Sequence, residues 1–187
     1  MQNAHKRKKQ PQVVRRALLD QAVALTMRDG LDRVTLQAVA AAAGVTKGGL
    51  LHHFANKQAL IDAVFDDLLD GLDGKLDALI AADPMPYGAF TRAYVEVTFA
   101  TEWRAEVNPR ASMSVLILSD ARMRTLWSQW FAARLARHDS TDAGVALAVV
   151  RLAADGFWVA ALSDVAQDDT AQLHQTLIAA TRPENTP

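Results

Sequence analysis

The sequence predicts an all-α protein: a small N-terminal helical domain, a larger C-terminal helical domain and about nine helices in total. Ala and Leu are abundant, whereas the 187 residues include only 9 Gly and 6 Pro, a composition that favours helix over strand. Apolar residues recur every three to four positions along most of the chain, and no long strand-type alternation interrupts that spacing. The predicted helices cover residues 13–28, 36–43, 47–53, 57–80, 87–102, 111–118, 120–137, 143–162 and 170–180.

The N-terminal elements are delimited by capping residues. Residues 1–10 are polar and basic and are expected to form a flexible arm that ends at Pro11. Gly30 is a plausible stop for the first helix. Thr35, Thr46 and Asn56 each stand immediately before a helical pattern, where a side-chain oxygen can accept a hydrogen bond from the first turn.

The long helix at 57–80 carries Leu68, Leu72 and Leu76 on one face. Four carboxylates share another face: Asp66, Asp70, Asp73 and Asp77. They could form a cation site, but a solvated acidic face is the favoured interpretation. The segment 83–86 (Asp-Pro-Met-Pro) then makes the clearest break in the chain.

Charge is divided unequally along the chain. Residues 1–60 contain ten Lys and Arg against three Asp, and residues 61–187 contain ten against eighteen acidic residues. A basic module joined to an acidic body indicates a polyanion as the partner of the first part. A basic tail with no specific partner would also fit.

Several functional classes are excluded or disfavoured by composition. The chain has no Cys, which rules out disulfides, zinc–thiolate sites and cysteine nucleophiles and is compatible with a cytoplasmic protein. We expect no signal peptide, because no apolar run follows the basic start, and no membrane association. We also expect no cofactor and no metal site.

The segment 35–54 has the residue pattern of a helix-turn-helix. Gly44 can adopt the left-handed conformation that ends one short helix, Val45 points inward, and Thr46 caps the next. The second helix opens with Lys47 and two glycines, which weaken a helix and allow close approach of another molecule such as a DNA backbone.

The segment 35–61, TLQAVAAAAGVTKGGLLHHFANKQALI, resembles the DNA-binding domain of the TetR family of bacterial transcriptional regulators. About 50 residues are covered, the first helix included. Two positions depart from the family pattern: Leu51 and His52 stand where tyrosines are usual. The matching positions are Gly44, Val45, Thr46, Lys47, Gly48, Leu50, His53, Phe54, Lys57 and Leu60.

The resemblance implies a role for each matching position. Thr35, Thr46, His53 and Lys57 would contact phosphates, with a buried histidine beside Phe54 as the alternative for His53. Lys47, Gly48, Leu51 and His52 would lie at the major groove, where Leu51 could contact a thymine methyl. The pair His52–His53 is a poor metal site, because adjacent helical residues diverge by about 100°. The basic arm would either enter a minor groove or act as an unspecific electrostatic tail.

The resemblance further implies three parts: the arm at 1–10, the helix-turn-helix domain at 11–57, and an effector-binding and dimerisation domain at 58–187 entered through the long helix. The segment 154–162 resembles the eighth helix of family members such as the choline-responsive repressor of betaine synthesis. The expected dimer-interface residues, for which burial within one subunit is the alternative, are Leu147, Val150, Ala154, Phe157, Ala161, Leu173 and Leu177. The candidate effector-binding residues, for which a simple core role is the alternative, are Phe99, Trp103, Met113, Trp127, Trp130 and Trp158.

The sequence as a whole is interpreted as a homodimeric repressor that binds double-stranded operator DNA and is released by a small-molecule effector. A ligand-independent, nucleoid-binding protein on the same scaffold is the alternative. An enzyme is not expected, because Ser112, Ser114, His138 and Asp139 have no spacing that assembles a triad or metal site.

Overall fold

A computed structural model of the chain describes residues 3–100, 114, 116–163, 165 and 169–183, with side chains from residue 11 onward. The described residues are helical or in turns and include no strand, which confirms the all-α prediction. The helices are α1 (Asn3–Asp29), a 3-10 helix (Leu31–Arg33), α2 (Leu36–Ala42), α3 (Lys47–Leu51), α4 (Lys57–Ala82), α5 (Ala89–Phe99), α6 (Ala121–Arg137), α7 (Asp139–Asp142), α8 (Val145–Leu162) and α9 (Thr170–Ala180). Residues 116–119, which overlap the segment expected at 111–118 and extend one residue beyond it, are also helical.

Helix α1 begins ten residues earlier than the sequence pattern predicts. The expected flexible arm is helical from Asn3, and Pro11 lies inside the helix. Residues 3–10 are mostly Ala, Lys, Arg and Gln, which have high helix propensity. Local propensity therefore extends the helix, although proline deprives one turn of its hydrogen bond.

The chain divides into two compact units, Met1–Asp70 with Arg104–Leu126, and Gly71–Trp103 with Trp127–Pro187. The first unit therefore includes the first half of α4. Arg16 on α1 accounts for part of this, because its guanidinium donates to both carboxylate oxygens of Asp67 on α4 at 2.7 and 2.8 Å. Leu18, Leu50 and Leu60 are completely buried in this unit.

In the second unit, the N-terminus of α5 is capped by a side chain from a distant part of the chain. Asp142, at the end of α7, is buried and accepts hydrogen bonds from the backbone N–H of Thr91 (2.7 Å) and of Phe90 (3.3 Å). It also accepts from the hydroxyls of Thr91 (2.7 Å) and Thr141 (2.9 Å). Arg151 of α8 donates to the Thr91 hydroxyl at 2.7 Å, so one buried polar network joins α5, α7 and α8.

A second buried arginine fixes the turn that precedes α5. Arg92 donates to Asp83 Oδ2 at 2.7 Å, to the Met85 carbonyl at 2.5 Å and to the Thr181 carbonyl at 3.3 Å. The hydrogen bond that Arg92 donates to the Asp83 carboxylate lowers the pKa of Asp83. Gly88 lies in the same turn with a φ of 70°, and a Cβ there would be 2.6 Å from the Thr181 carbonyl oxygen.

Two of the four aspartates on α4 pair with a buried arginine, although the Asp77 side chain is itself 58% exposed. The guanidinium of Arg134 on α6, only 2% exposed, pairs with Asp73 and donates to Asp77 Oδ1 at 2.5 Å. Trp130 donates its indole N–H to Asp73 at 2.9 Å. The hydrogen bond from Arg134 also lowers the pKa of Asp77.

An aromatic cluster surrounds the start of α7. The ring of His138 stacks on Phe90 with centroids 5.2 Å apart and planes 2° from parallel, and Phe90 also contacts Tyr94 and Phe131. The Nε2 atom of His138 is buried without a hydrogen-bond partner. Burial lowers the pKa of this imidazole.

Helix α8 is apolar on two sides. Its inner side, with Leu147, Val150 and Ala154, is buried in the second unit and packs on α5. A second apolar stripe lies in solvent at helical spacing; we call it the outer stripe, and it consists of Val145, Val149, Leu152 and Val159, which are 57–80% exposed.

Candidate nucleic-acid interface

The predicted helix-turn-helix is present, and its turn is built by backbone hydrogen bonds. Gly44 has a φ of 69°, the left-handed conformation that ends α2. Its N–H donates to the Ala41 carbonyl at 3.1 Å, and the N–H of Val45 donates to the Ala40 carbonyl at 2.9 Å. The turn therefore returns the chain directly into Thr46 and α3.

Two threonines cap the two short helices, as the sequence predicts. Thr35 Oγ1 accepts from the N–H of Ala38 at 3.1 Å, and Thr46 Oγ1 accepts from the N–H of Gly49 at 3.0 Å. Both threonines are exposed. Because each hydroxyl oxygen acts as an acceptor here, its O–H hydrogen can donate to an outside acceptor such as a phosphate oxygen.

The two glycines of α3 differ in the space that surrounds them. A Cβ on Gly49 would lie 3.3 Å from Thr46 Oγ1, so this glycine gives room to the cap itself. A Cβ on Gly48 would have only that oxygen within 4 Å, at 3.9 Å. Gly48 is exposed, and internal packing does not account for the absence of a side chain there.

The residues predicted to face the major groove form the exposed surface of α3. Lys47, Gly48 and His52 are exposed, and Leu51 is 42% exposed. The helix has five residues, about one and a half turns, and ends at Leu51 rather than at the expected position 53. His53 and Phe54 follow in a tightened turn, since both of their N–H groups donate to the Leu50 carbonyl, at 2.8 and 2.9 Å.

His53 and Phe54 differ in burial. Phe54 is 3% exposed and belongs to the core, with the guanidinium of Arg15 centred 5.4 Å from its ring. His53 is partly exposed, and its ring centroid is 6.3 Å from that of Phe54. His53 therefore lies beside Phe54 and also reaches solvent.

Lys57, the first residue of α4, has partners within the protein. Its ammonium donates to the carbonyls of Leu31 and Asp32 in the 3-10 helix, at 3.0 and 3.3 Å. The residue is partly buried. Sequence reasoning did not anticipate these bonds, because they join residues 25 and 26 positions apart.

The candidate effector residues fall into two aromatic groups in the second unit. Trp127 stacks on Trp130 at 4.8 Å between centroids and lies 6.1 Å from Trp158. Phe99 stacks on Phe157 at 3.9 Å. Trp103 and Met113 lie outside the described residues. A groove of about 250 Å³ is lined by other residues: Glu96, His174, Gln175, Ile178, Ala179 and Arg182.

The expected dimer-interface residues lie mostly on inward-facing surfaces. Leu147, Val150, Ala154 and Leu177 are buried within the chain, Phe157 and Leu173 are partly buried, and Ala161 is exposed. The large apolar side chains that α8 leaves in solvent are those of the outer stripe and, at its last residue, Leu162. Sequence reasoning did not single them out, although a helix that is apolar on all sides indicates contacts on more than one face.

Comparison with known proteins gives two matching family models. Residues 18–64 match the model described as "Bacterial regulatory proteins, tetR family", and residues 88–182 match "Tetracyclin repressor-like, C-terminal domain". The second model alone covers half of the chain.

One curated relative is the HTH-type transcriptional repressor KstR2 of Rhodococcus jostii (strain RHA1), 35% identical over 91 residues, which are 49% of this chain and 42% of that protein. The match thus spans less than half of the relative's length. Among solved structures, a TetR-family transcriptional regulator from Streptomyces coelicolor has a TM-score of 0.67 at 20% identity, with 91% of this chain and 93% of that one covered. The ketosteroid transcriptional regulator KstR2 of Mycobacterium tuberculosis has a TM-score of 0.62 at 18% identity, with 89% and 92% covered. At these identities the structural likeness establishes the fold.

Proposed function

We propose that this chain, which belongs to the TetR family of bacterial regulatory proteins, is a DNA-binding transcriptional regulator. It acts as a homodimeric repressor that a small-molecule effector releases from its operator. Members of this family are transcriptional regulators rather than enzymes. A regulator of bacterial genes acts where the DNA is, so we infer a cytoplasmic location. The observation that carries the proposal is the exposed surface of α3, with its capped N-terminus and no internal use for Gly48.

The proposed DNA contacts follow from the chemistry of this surface. Thr35 and Thr46 donate their hydroxyl hydrogens to phosphate oxygens, and His53 contacts the backbone beside them. Lys47 reads a base edge, with guanine O6 and N7 as suitable acceptors. Gly48 and His52 lie against the major groove, and Leu51 offers an apolar surface to a thymine methyl.

The experiment that tests DNA recognition is selection of binding sites from random duplexes, followed by affinity measurement on the recovered and scrambled sequences at fixed salt. We expect a recovered palindrome whose half-sites lie about one helical turn apart, and an affinity at least about 1000-fold higher than for scrambled DNA. Similar affinities for both duplexes would contradict the repressor and support the ligand-independent, nucleoid-binding alternative.

We propose that the homodimer forms through the outer stripe of α8. Its four side chains present a continuous apolar surface, Gly156 leaves room for close approach of a second helix, and no described residue of the same chain covers them. An isologous contact of two such helices would bury this surface on both subunits. The stripe thus replaces the buried residues of α8 as the proposed interface.

Substitution of Leu152 by Asp tests this interface, because Leu152 lies in the middle of the stripe and is 69% exposed. Leu118→Asp is the matched control: the same substitution at a leucine that is 71% exposed and lies in the first unit. In sedimentation velocity, Leu152→Asp should be monomeric at concentrations at which the wild type and the control are dimers. A dimeric Leu152→Asp variant would refute the interface.

The effector is proposed to bind the second unit beside the aromatic side chains Phe99, Trp127, Trp130 and Trp158. Large apolar rings are the usual lining of a small-molecule site. A ligand acts here only through different affinities for the DNA-bound and DNA-free states. A compound that raises the Tm of the protein and quenches tryptophan fluorescence should release labelled operator; unchanged operator affinity with such a compound bound would contradict release.

A further inference from the structure

We infer that Lys57 is a positioning residue of the DNA-binding surface, an internal clamp that sets the start of α2, rather than a phosphate contact. This inference rests on the proposed function, because it concerns how the same surface is held. The resemblance to the TetR family implies a phosphate contact at this position. The contacts that the lysine makes inside the protein point to a different role.

The carbonyls that bind Lys57 belong to a turn that two backbone hydrogen bonds also hold. Gly30 ends α1 with a φ of 82°, and the 3-10 helix that follows is held by N–H groups of Arg33 and Val34, each donating at 3.2 Å. The Val34 N–H donates to the carbonyl of Leu31, which also accepts from Lys57 at 3.0 Å. Both lone pairs of that oxygen are therefore occupied.

This turn determines where α2 begins. Val34 is 1% exposed and anchors the turn in the core, and the next residue is Thr35, the N-cap of α2 and a proposed phosphate contact. The Lys57 ammonium therefore ties the first residue of α4 to carbonyls that lie three and four residues before that cap. Loss of the clamp should displace Thr35 without removing a charge from the DNA interface.

Lys57 differs from Lys47, the other lysine of residues 11–57, in its exposure and in its hydrogen-bond partners. Lys47 is exposed at the start of α3, whereas Lys57 is partly buried with two of its three N–H donors bound to carbonyls. Transfer of the Lys57 ammonium to a phosphate would forfeit two charge-assisted hydrogen bonds. A solvated lysine gives up only water.

The salt dependence of operator binding distinguishes the two roles. Each phosphate neutralised by a cationic side chain contributes about 0.9 to the slope of log K against log[salt], so loss of one contact per subunit lowers a dimer's slope by about 1.8. We compare the wild type with Lys57→Met, which keeps the aliphatic stem, and with Lys47→Met as the control that removes an exposed charge. Binding is measured on the selected duplex at a temperature at which circular dichroism finds every variant folded.

The clamp predicts that Lys57→Met weakens operator binding about tenfold while the salt slope stays that of the wild type, and that Lys47→Met lowers the slope. A role in stability alone would leave the affinity of the folded variant unchanged. In the free protein, amide hydrogen exchange at Val34 should accelerate about tenfold or more in Lys57→Met and stay unchanged in Lys47→Met. Lys57→Gln, which retains a shorter N–H donor, should give intermediate exchange and provides a second variant.

A salt slope lowered by about 1.8 in Lys57→Met overturns the clamp and restores the phosphate contact. Unchanged amide exchange at Val34 in that variant also overturns the clamp. Failure of the wild type to discriminate selected from scrambled DNA would instead refute the proposed function. In that case the exchange measurement still decides whether the clamp exists, because it needs no DNA. The two failures are thus distinguishable.

Discussion

Replacement of Asp142 by Ala should destabilise the protein strongly, although Asp142 lies at the end of a four-residue helix. This carboxylate is 2% exposed and accepts four hydrogen bonds, two of them from backbone N–H groups at the start of α5. Alanine leaves those donors buried without an acceptor, at about 1–3 kcal/mol each. The expected loss is at least about 3 kcal/mol in the free energy of unfolding.

For a chain of this length, about 3 kcal/mol corresponds to a fall in Tm of roughly 6–12 °C. Asp142→Asn should lose about half as much, because the amide oxygen can still accept from the N–H and hydroxyl of Thr91 while the NH₂ group cannot accept from Phe90. Asp139→Ala is the matched control, since Asp139 is exposed in the same helix.

Thermal denaturation followed by circular dichroism at neutral pH measures all three variants. The expected order of Tm is wild type and Asp139→Ala together, then Asp142→Asn, then Asp142→Ala. An Asp142→Ala variant that melts within about 2 °C of the control would refute the assignment of Asp142 as the cap of α5.

Further predictions concern single positions of the same fold. Gly88→Ala should lower the free energy of unfolding by about 2 kcal/mol or more, measured by urea denaturation, because its Cβ would lie 2.6 Å from the Thr181 carbonyl at a φ of 70°; an unchanged midpoint would contradict this. Gly71→Ala and Gly74→Ala should each stabilise by about 0.5–1 kcal/mol, since both lie inside α4 with nothing within 4 Å of an added Cβ; a lower midpoint would reveal an unrecognised contact. Stability should fall as the pH is lowered from 7 to 5, because His138 has a pKa below its ordinary value of 6.5 and the unfolded chain takes up the proton first. His138→Phe, which keeps the aromatic stack, should flatten that decline. An equally steep fall in the stability of this variant would show that other groups cause it.

The helices near the N-terminus could be predicted from sequence because their boundaries are local. Thr35 and Thr46 cap helices that begin at the next residue, and Gly44 supplies the left-handed conformation between them. Such features depend on residues three or four positions apart, which a sequence displays directly. The exposed surface of α3 follows from the same local pattern.

Features that depend on distant residues were missed or misjudged. Asp73 and Asp77 share a helical face, but their partner Arg134 lies about 60 positions away, and spacing along α4 gives no indication of it. Likewise, the apolar spacing of α8 does not distinguish its inner side from its outer stripe, because both sides carry Val and Leu. The positions of α5 and α9, which both pack on α8, determine which side is buried.

The buried network around Arg151 also affects how α8 would behave at a lipid bilayer. By length and composition α8 could cross a membrane, and only 22% of its 18 residues are buried inside the protein. Arg151 and Asp155 lie near the middle of this helix, where insertion into hydrocarbon costs about 2.5–3.5 kcal/mol for each charge. In the folded protein, Arg151 instead finds the Thr91 hydroxyl, and Asp155 accepts a hydrogen bond from Tyr94 at 2.6 Å. The side chains that hold α8 against α5 therefore also disfavour partitioning of this apolar segment into lipid while the chain is being synthesised.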